Sequence, residues 1–459
     1  MTEETEGQPP SDDAYALNAA TVDAILAAVE VGARERLIEY LAHMHPADVA
    51  DLLEQIEEPR RVRLVELWGP DLNGDVLTEL EEGVRDTVLA TLTPKQLSEA
   101  VQELDTDDVV YLVEDLDEPQ QEAVLDALDD ADRVAVEQSL TYPEYTAGRL
   151  MQREMVTAPV HWTVGDVIDY MRASDDLPEQ FYDIIIVDPA MHPVGEVRLG
   201  KVMAHPRSVK LDTLMEQDFR TIPVDQRQED VAYAFNQYHM IQAPVVNADG
   251  RLVGIVTIDD AMDVLEDEAE EDMKLLAGVG DEEISDSTMA IVQRRFPWLL
   301  VNLITAIIAS IVISLFSSTI EAIVALAVLM PIVASMGGNA ATQTLTVAVR
   351  ALATRDLTGS NAMRIVRREL VAGTINGAAF AVIMAVVGII WFGNPMLGVV
   401  LAIAMVGNLA VAGLAGILVP IGLDRAGADP ALASGTFVTT VTDVVGFLLF
   451  LGLASALLL

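Results

Sequence analysis

The 459-residue chain contains no cysteine, which excludes disulfides and thiolate metal sites. Positive charge is scarce. Lysine occurs only as Lys95, Lys201, Lys210 and Lys274, and Lys and Arg together number 27 against 72 Asp and Glu. A formal net charge of −45 excludes nucleic acid as a partner. Histidine is sparse too. All six lie before Gly250 and none belongs to a His-Glu-x-x-His helix, so an intramembrane metalloprotease is discounted and no enzyme is expected. No Gly-x-x-x-x-Gly-Lys-Ser/Thr loop is present, so nothing points to ATP hydrolysis.

From about residue 291 onward the scarcity extends to charge of either sign. Residues 291–459 hold eight Arg against six Asp and Glu, so nearly all the net negative charge lies in the first 290 residues. Phe296–Ile320 and Ala322–Val349 are uncharged. Leu370–Leu423 is also uncharged but too long for one crossing, and Trp391-Phe392-Gly393-Asn394-Pro395 divides it. Pro430–Leu459 is interrupted only by Asp443. At about 20 residues per crossing, these runs predict five transmembrane helices. Arg294 and Arg295, then Arg350, Arg355, Arg364, Arg367 and Arg368, then Arg425 all fall on one side. The positive-inside rule makes that side cytoplasmic and leaves the C-terminus outside a multi-pass cell-membrane protein.

The acidic half reads as several units. Residues 1–14 read as a disordered acidic lead, with no signal peptide. Residues 15–140 form a helical N-domain of stacked short repeats. Pro46–Leu53, Pro94–Val101 and Thr106–Val113 echo one another, each opening on Pro or a helix-start residue. Residues 141–262 contain a duplication. Val156-Thr157-Ala158-Pro159-Val160 recurs as Arg220-Thr221-Ile222-Pro223-Val224, and Asp183–Asp188 recurs as Gln242–Asn247. Each copy reads strand, helix, strand, turn, strand, helix. The pattern resembles a tandem pair of CBS domains, which implies ATP or another adenine nucleotide as a candidate ligand, with Thr257 and Asp260 near its ribose.

Residues 263–290 read as an acidic connecting helix, continuing Asp259-Asp260-Ala261-Met262-Asp263 through Glu268, Glu271 and Asp272. Carboxylates at (i, i+4) spacing repel one another. A hard divalent cation would relieve that repulsion. A solvated acidic face suited to a salty, halophilic cytoplasm explains the same composition.

A lone carboxylate at bilayer depth is costly and normally marks an ion path. Thr436, Thr440 and Asp443 fall at i, i+4 and i+7 with Thr439 beside them, forming an oxygen-bearing stripe. Mg²⁺ sheds water reluctantly and is commonly bound through one or two carboxylates with waters retained. In the second span, Asn339 and Gln343 share one face; interhelical hydrogen bonding and ion contact both fit them.

The order of units resembles the MgtE family of magnesium channels and transporters over nearly the whole chain. Its carriers are Tyr142–Met151, Gly337-Gly338-Asn339, Arg350–Asp356, Asp429-Pro430-Ala431 and Thr442-Asp443-Val444. The resemblance implies a homodimer in membrane lipid with a central pore for Mg²⁺. The ion would bind near Asp443, helped by Asn339, Gly435 and Thr439. The acidic helix would plug the pore, and cytoplasmic Mg²⁺ at Glu229, Asp260, Asp263, Glu268, Glu271 and Asp272 would hold it shut. Two positions depart from the family pattern: Ala341 replaces a glycine after Asn339, and His239 replaces an acidic sensor residue. A CBS-regulated transporter of Mn²⁺, Co²⁺ or Ca²⁺ is the alternative.

The expected fold is therefore an all-α N-terminal superhelical domain, an α/β tandem CBS pair, an acidic connecting helix and a five-helix transmembrane domain spanning residues 291–459.

Overall fold

The computed structural model describes residues 17–459 except 115, 117, 175, 176, 179, 281, 283–287 and 434. The acidic lead expected at 1–14 lies outside the described residues. The chain divides into two compact units, one ending at Glu266 and the other starting at Asp267.

The first unit begins with short helices from Ala19 to Ser139. Their ends follow from local chemistry. Asn18 accepts the Ala20 N–H, and Thr93 and Gln96 form a capping box around Pro94 at the first helical position. The three sequence echoes become the helices Pro46–Gln55, Pro94–Ala100 and Thr106–Glu114. Each turns its apolar positions inward: Leu52 and Leu53, Leu97 and Ala100, and Val109 and Leu112 are buried in one continuous core with Leu64, Trp68 and Leu77.

The duplicated segment folds as two matching three-stranded sheets. β1 (Thr157–Pro159) pairs parallel with β2 (Asp183–Val187), which pairs antiparallel with β3 (Pro193–Arg198). β4 (Ile222–Pro223), β5 (Gln242–Val246) and β6 (Leu252–Thr257) repeat that order. The register slips at the same place in each copy, between Ile186 and Val187 and between Val245 and Val246. Gln152 and Ile255 exchange two backbone hydrogen bonds of 2.9 Å, and Gln242 Nε2 donates to the Asp183 carbonyl at 3.1 Å, tying one copy to the other.

The acidic helix runs from Ile258 to Ala277 and crosses the boundary between the units. It stops well short of residue 290. Gly278 takes φ +72° and donates its N–H to the Leu275 carbonyl at 2.9 Å, while Val279 N–H reaches Lys274. A glycine in the left-handed region ends a helix at little cost, and this local preference overrides the acidic pattern.

Among the described residues, the second unit contains five helices long and apolar enough to cross a membrane: Thr288–Ser314, Ala325–Ala353, Ala362–Phe392, Pro395–Ala426 and Gly435–Leu458. They are called the first to fifth spans below. Arg294 and Arg295 lie inside the first helix, and Glu369 inside the third. The fourth span is the hub, with 56% of its most apolar window buried against 6% for the first. Third and fourth spans pack closely because small residues let backbones approach. A Cβ on Gly377 would lie 2.8 Å from the Val406 Cα.

Candidate functional site

The second and fifth spans pack side by side through small residues. A Cβ on Gly338 would lie 3.1 Å from Thr439 Cγ2, and one on Gly435 would lie 3.7 Å from Thr342 Oγ1. This seam brings the Gly337-Gly338-Asn339 segment alongside Gly435, Thr439 and the stripe that leads to Asp443. Asp443 is half-buried, and its carboxylate has no hydrogen bond or ion pair among the described residues. Thr439 and Thr440 both donate their hydroxyls to the Thr436 carbonyl, at 3.1 and 2.6 Å. With its proton committed, each hydroxyl oxygen offers lone pairs alone, which accept from water around a cation.

Along the second span, Ser335, Asn339, Thr342, Gln343 and Thr346 are all exposed in the single chain. Their spacing places them on one helix face. A polar face of this kind is unsuited to lipid and suits a wet cavity or a protein contact. Ala341, where the resemblance implied glycine, is fully buried. It faces the fourth span, where a Cβ on Gly416 would lie 2.6 Å from the Ala341 carbonyl oxygen. The departure therefore falls away from the polar face.

A residue absent from the sequence expectations completes the seam. Asn408 of the fourth span is fully buried, and its Nδ2 donates to the Val333 carbonyl at 2.9 Å. Its amide fills the space left by two glycines: a Cβ on Gly337 would lie 2.3 Å from Nδ2, and one on Gly446 2.8 Å. The available signal is a single Asn within an otherwise apolar span. Gly337→Ala is expected to overpack this wedge and destabilise the protein by about 1–3 kcal/mol. A thermal unfolding midpoint in detergent equal to wild type would refute that role.

In the first unit, Asp107 and Asp108 face Asp260 from the helical N-domain. Asp107 is 8% exposed. Burial pushes its carboxyl well above the ordinary range, with Asp260, Asp108 and Asp105 adding to the effect. Burial raises Asp108 to about 7, again with help from Asp260. Asp260 itself is raised to about 6 by burial, although it accepts both the backbone N–H and the hydroxyl of Thr257. Buried carboxylates that oppose one another hold protons or attract a hard cation. Asp107 and Asp108 open the Thr106 helix, and only tertiary contact distinguishes them from other helix-start acids.

The remaining sensor candidates are dispersed. Glu229 pairs with Arg227, and Asp263 is exposed on the acidic helix. His239 is exposed, with φ +54° at the end of the Gln228–Tyr238 helix. Glu268, Glu271 and Asp272 belong to the second unit. There, burial raises Asp272 to about 6, with Asp429 and Glu271 adding and Arg350 opposing. Leu275 and Leu276, one turn further on, pack against a cluster that includes Ala341, Leu345, Ala412 and Val438. The end of the acidic helix thus seats on the second, fourth and fifth spans near the seam. Among the described residues, no three His, Asp or Glu side chains form a ready-made metal cage.

Comparison with known proteins follows the same division of the chain. A family described as "Divalent cation transporter" matches residues 330–453, the "MgtE intracellular N domain" matches 44–145, and the "CBS domain" matches 210–267. The magnesium transporter MgtE of Bacillus subtilis is 32% identical over 415 residues, covering 90% of this chain and 92% of that protein. The magnesium transporter MgtE of Thermus thermophilus is 33% identical over 438 residues, covering 90% and 97%. A solved cytosolic domain of the Mg²⁺ channel MgtE in complex with ATP is 30% identical, covers 53% of this chain and 99% of that one, and superposes with a TM-score of 0.49. Helical N-domain, CBS pair and five apolar helices together place the chain in the MgtE family of divalent cation transporters.

Proposed function

We propose that the protein is a channel or transporter that carries Mg²⁺ into the cell, with Asp443 as its ion-binding carboxylate. The observation that carries this reading is a half-buried Asp443 without a partner among the described residues. A bare charge at this depth is tolerated where water and a cation reach it. Thr439 and Thr440 offer acceptor oxygens to the ion's waters, and Asn339 and Gly435 flank the same seam. Mg²⁺ keeps most of its hydration shell, so one carboxylate per chain suffices. Two chains related by a twofold axis would enclose the exposed polar face of the second span in a shared lumen, so the functional unit is a homodimer. In this reading the N-terminus is cytoplasmic and the C-terminus outside, supported by the arginine-rich segments and the positive-inside rule. A divalent ion moving inward gains about 4.6 kcal/mol per 100 mV of inside-negative potential.

Cytoplasmic Mg²⁺ closes the path in this scheme. Asp107 and Asp108 with Asp260 form one cation-attracting contact, and Glu268, Glu271 and Asp272 form another at the seated end of the acidic helix. Glu229 and Asp263 extend the acidic surface. When Mg²⁺ is scarce, repulsion opens these contacts and unseats the helix. ATP is assigned to the CBS groove at Thr257 and Asp260. Its ribose competes there with the Asp107 contact, because Asp260 cannot serve both fully.

Uptake of Mg²⁺ by proteoliposomes containing the full chain tests the assignment. Mn²⁺, Co²⁺ and Ca²⁺ added at equal concentration are expected to compete weakly. Preferred uptake of one of them would replace Mg²⁺ as the cargo, and absence of any divalent uptake would overturn the proposal.

A further inference from the structure

A cleft of about 520 Å³ opens where the second span ends and the third begins. It is lined by Ala351, Asp356, Asn361, Arg364, Ile365 and Arg368. Its rim is fixed by the connecting loop. Leu357 N–H donates to the Ala351 carbonyl at 2.7 Å, Asn361 Nδ2 donates to the Asp356 carbonyl at 2.7 Å, and Thr358 N–H donates to Asn361 Oδ1 at 2.9 Å. Ala351 and Ile365 of its lining pack against a buried cluster of Ala348, Leu357, Ala362, Ile417 and Ile421.

Arg364 and Arg368 lie four residues apart on one face of the third span. Arg364 is exposed and its side chain has no partner among the described residues. Arg368 donates Nε and Nη2 to Glu369 Oε1 at 3.2 and 3.1 Å, which leaves other guanidinium N–H groups for a second acceptor. Asp356 accepts from the Thr354 hydroxyl at 2.8 Å, a hydroxyl that also lies 2.9 Å from the Arg350 carbonyl. The lining therefore combines an anion-binding fork, a carboxylate acceptor and the apolar surfaces of Ala351 and Ile365. Met363 and Val371, 71% and 56% exposed on the same helix, supply apolar surface nearby.

The source of the anion follows from charge. Residues 291–459 carry eight Arg against six Asp and Glu, and these arginines cluster toward the ends of the spans. A membrane supplies anions at fixed density beside these arginines, and basic pockets between spans at the cytoplasmic face suit lipid headgroups. We propose that this cleft binds the phosphodiester headgroup of an anionic glycerophospholipid. Arg364 and Arg368 hold the phosphate oxygens in a fork that Lys would not reproduce. Asp356 accepts a headgroup hydroxyl, which favours a glycerol headgroup over choline.

The site is independent of the cargo assignment and is tested without measuring transport. The full chain in detergent is titrated with phosphatidylglycerol, with phosphatidylcholine of the same acyl chains, and with inorganic phosphate. Retained lipid is counted by native mass spectrometry, and stability is read by thermal unfolding. Phosphatidylglycerol is expected to be retained about tenfold more than phosphatidylcholine and to raise the midpoint. Arg364→Gln with Arg368→Gln is expected to abolish that preference, with the lipid-free midpoint lowered only slightly through loss of the Arg368–Glu369 pair. If the double variant does not fold, Arg364→Gln alone is expected to weaken retention, with Arg367→Gln as the matched surface control. Equal retention of both lipids overturns the proposal. So does an Arg367→Gln loss as large as that of Arg364→Gln. Displacement of the lipid by equimolar inorganic phosphate overturns it also, since the cleft would then be a small-anion site.

Discussion

Asp443→Ala is expected to lower Mg²⁺ flux into proteoliposomes by about 100-fold or more. Two unit charges about 4 Å apart at an effective dielectric of about 20 attract by about 4 kcal/mol, and a divalent ion doubles that. Retained waters weaken the attraction, yet a loss of about 2.8 kcal/mol already corresponds to a hundredfold. Folding behaves differently. Asp443 has no partner among the described residues, so its removal leaves no buried donor or cation uncompensated. The unfolding midpoint in detergent should therefore hold or rise. Asp443→Asn separates charge from size and should be nearly as inactive as Ala. Flux near wild type in either variant, with the protein folded, removes Asp443 from the ion path.

Neutralising the end of the acidic helix should have the opposite character. Glu268→Gln, Glu271→Gln and Asp272→Asn together are expected to leave maximal flux intact. The Mg²⁺ concentration that half-inhibits it should rise by about tenfold or more, since three formal charges no longer recruit the ion. Acid should imitate Mg²⁺. Burial, with neighbouring carboxylates adding, pushes Asp108 up to about 7 and Asp260 and Asp272 up to about 6, above the ordinary aspartate value. A raised carboxyl favours the docked arrangement fully below its ordinary value, and that contribution is lost as pH rises through about 6 to 7. At low Mg²⁺, protease protection of the cytoplasmic half should therefore increase from pH 8 to pH 6. At saturating Mg²⁺ it should be flat. Unchanged inhibition in the triple variant would assign these carboxylates to a solvated acidic surface, a role equally compatible with the composition.

Much of this molecule is legible in one dimension because its main signals are local. Four apolar runs, one of them divided at Trp391–Pro395, predict five spans, and the described residues contain five suitable helices. The duplicated strand patterns become two sheets with the same order and the same register slip. The acidic helix is local as well, although Gly278 ends it where charge pattern alone carries it to residue 290. A lone Asp443 is visible for the same reason, because the cost of a charge in hydrocarbon depends first on its neighbours along the helix.

Residues that act through distant partners need the folded chain. Asn408 is 75 residues from Val333, whose carbonyl it binds, and its fit depends on Gly337 and Gly446 meeting across three helices. Asp107 and Asp108 are ordinary helix-start acids until burial opposite Asp260 raises their affinity for protons and cations. Sequence by itself determined which segments are apolar, repeated or charged, since hydrophobicity and helix-ending preference belong to short stretches of chain. Tertiary structure decided which polar groups lose water together, since desolvation and close backbone approach arise only when separate helices pack.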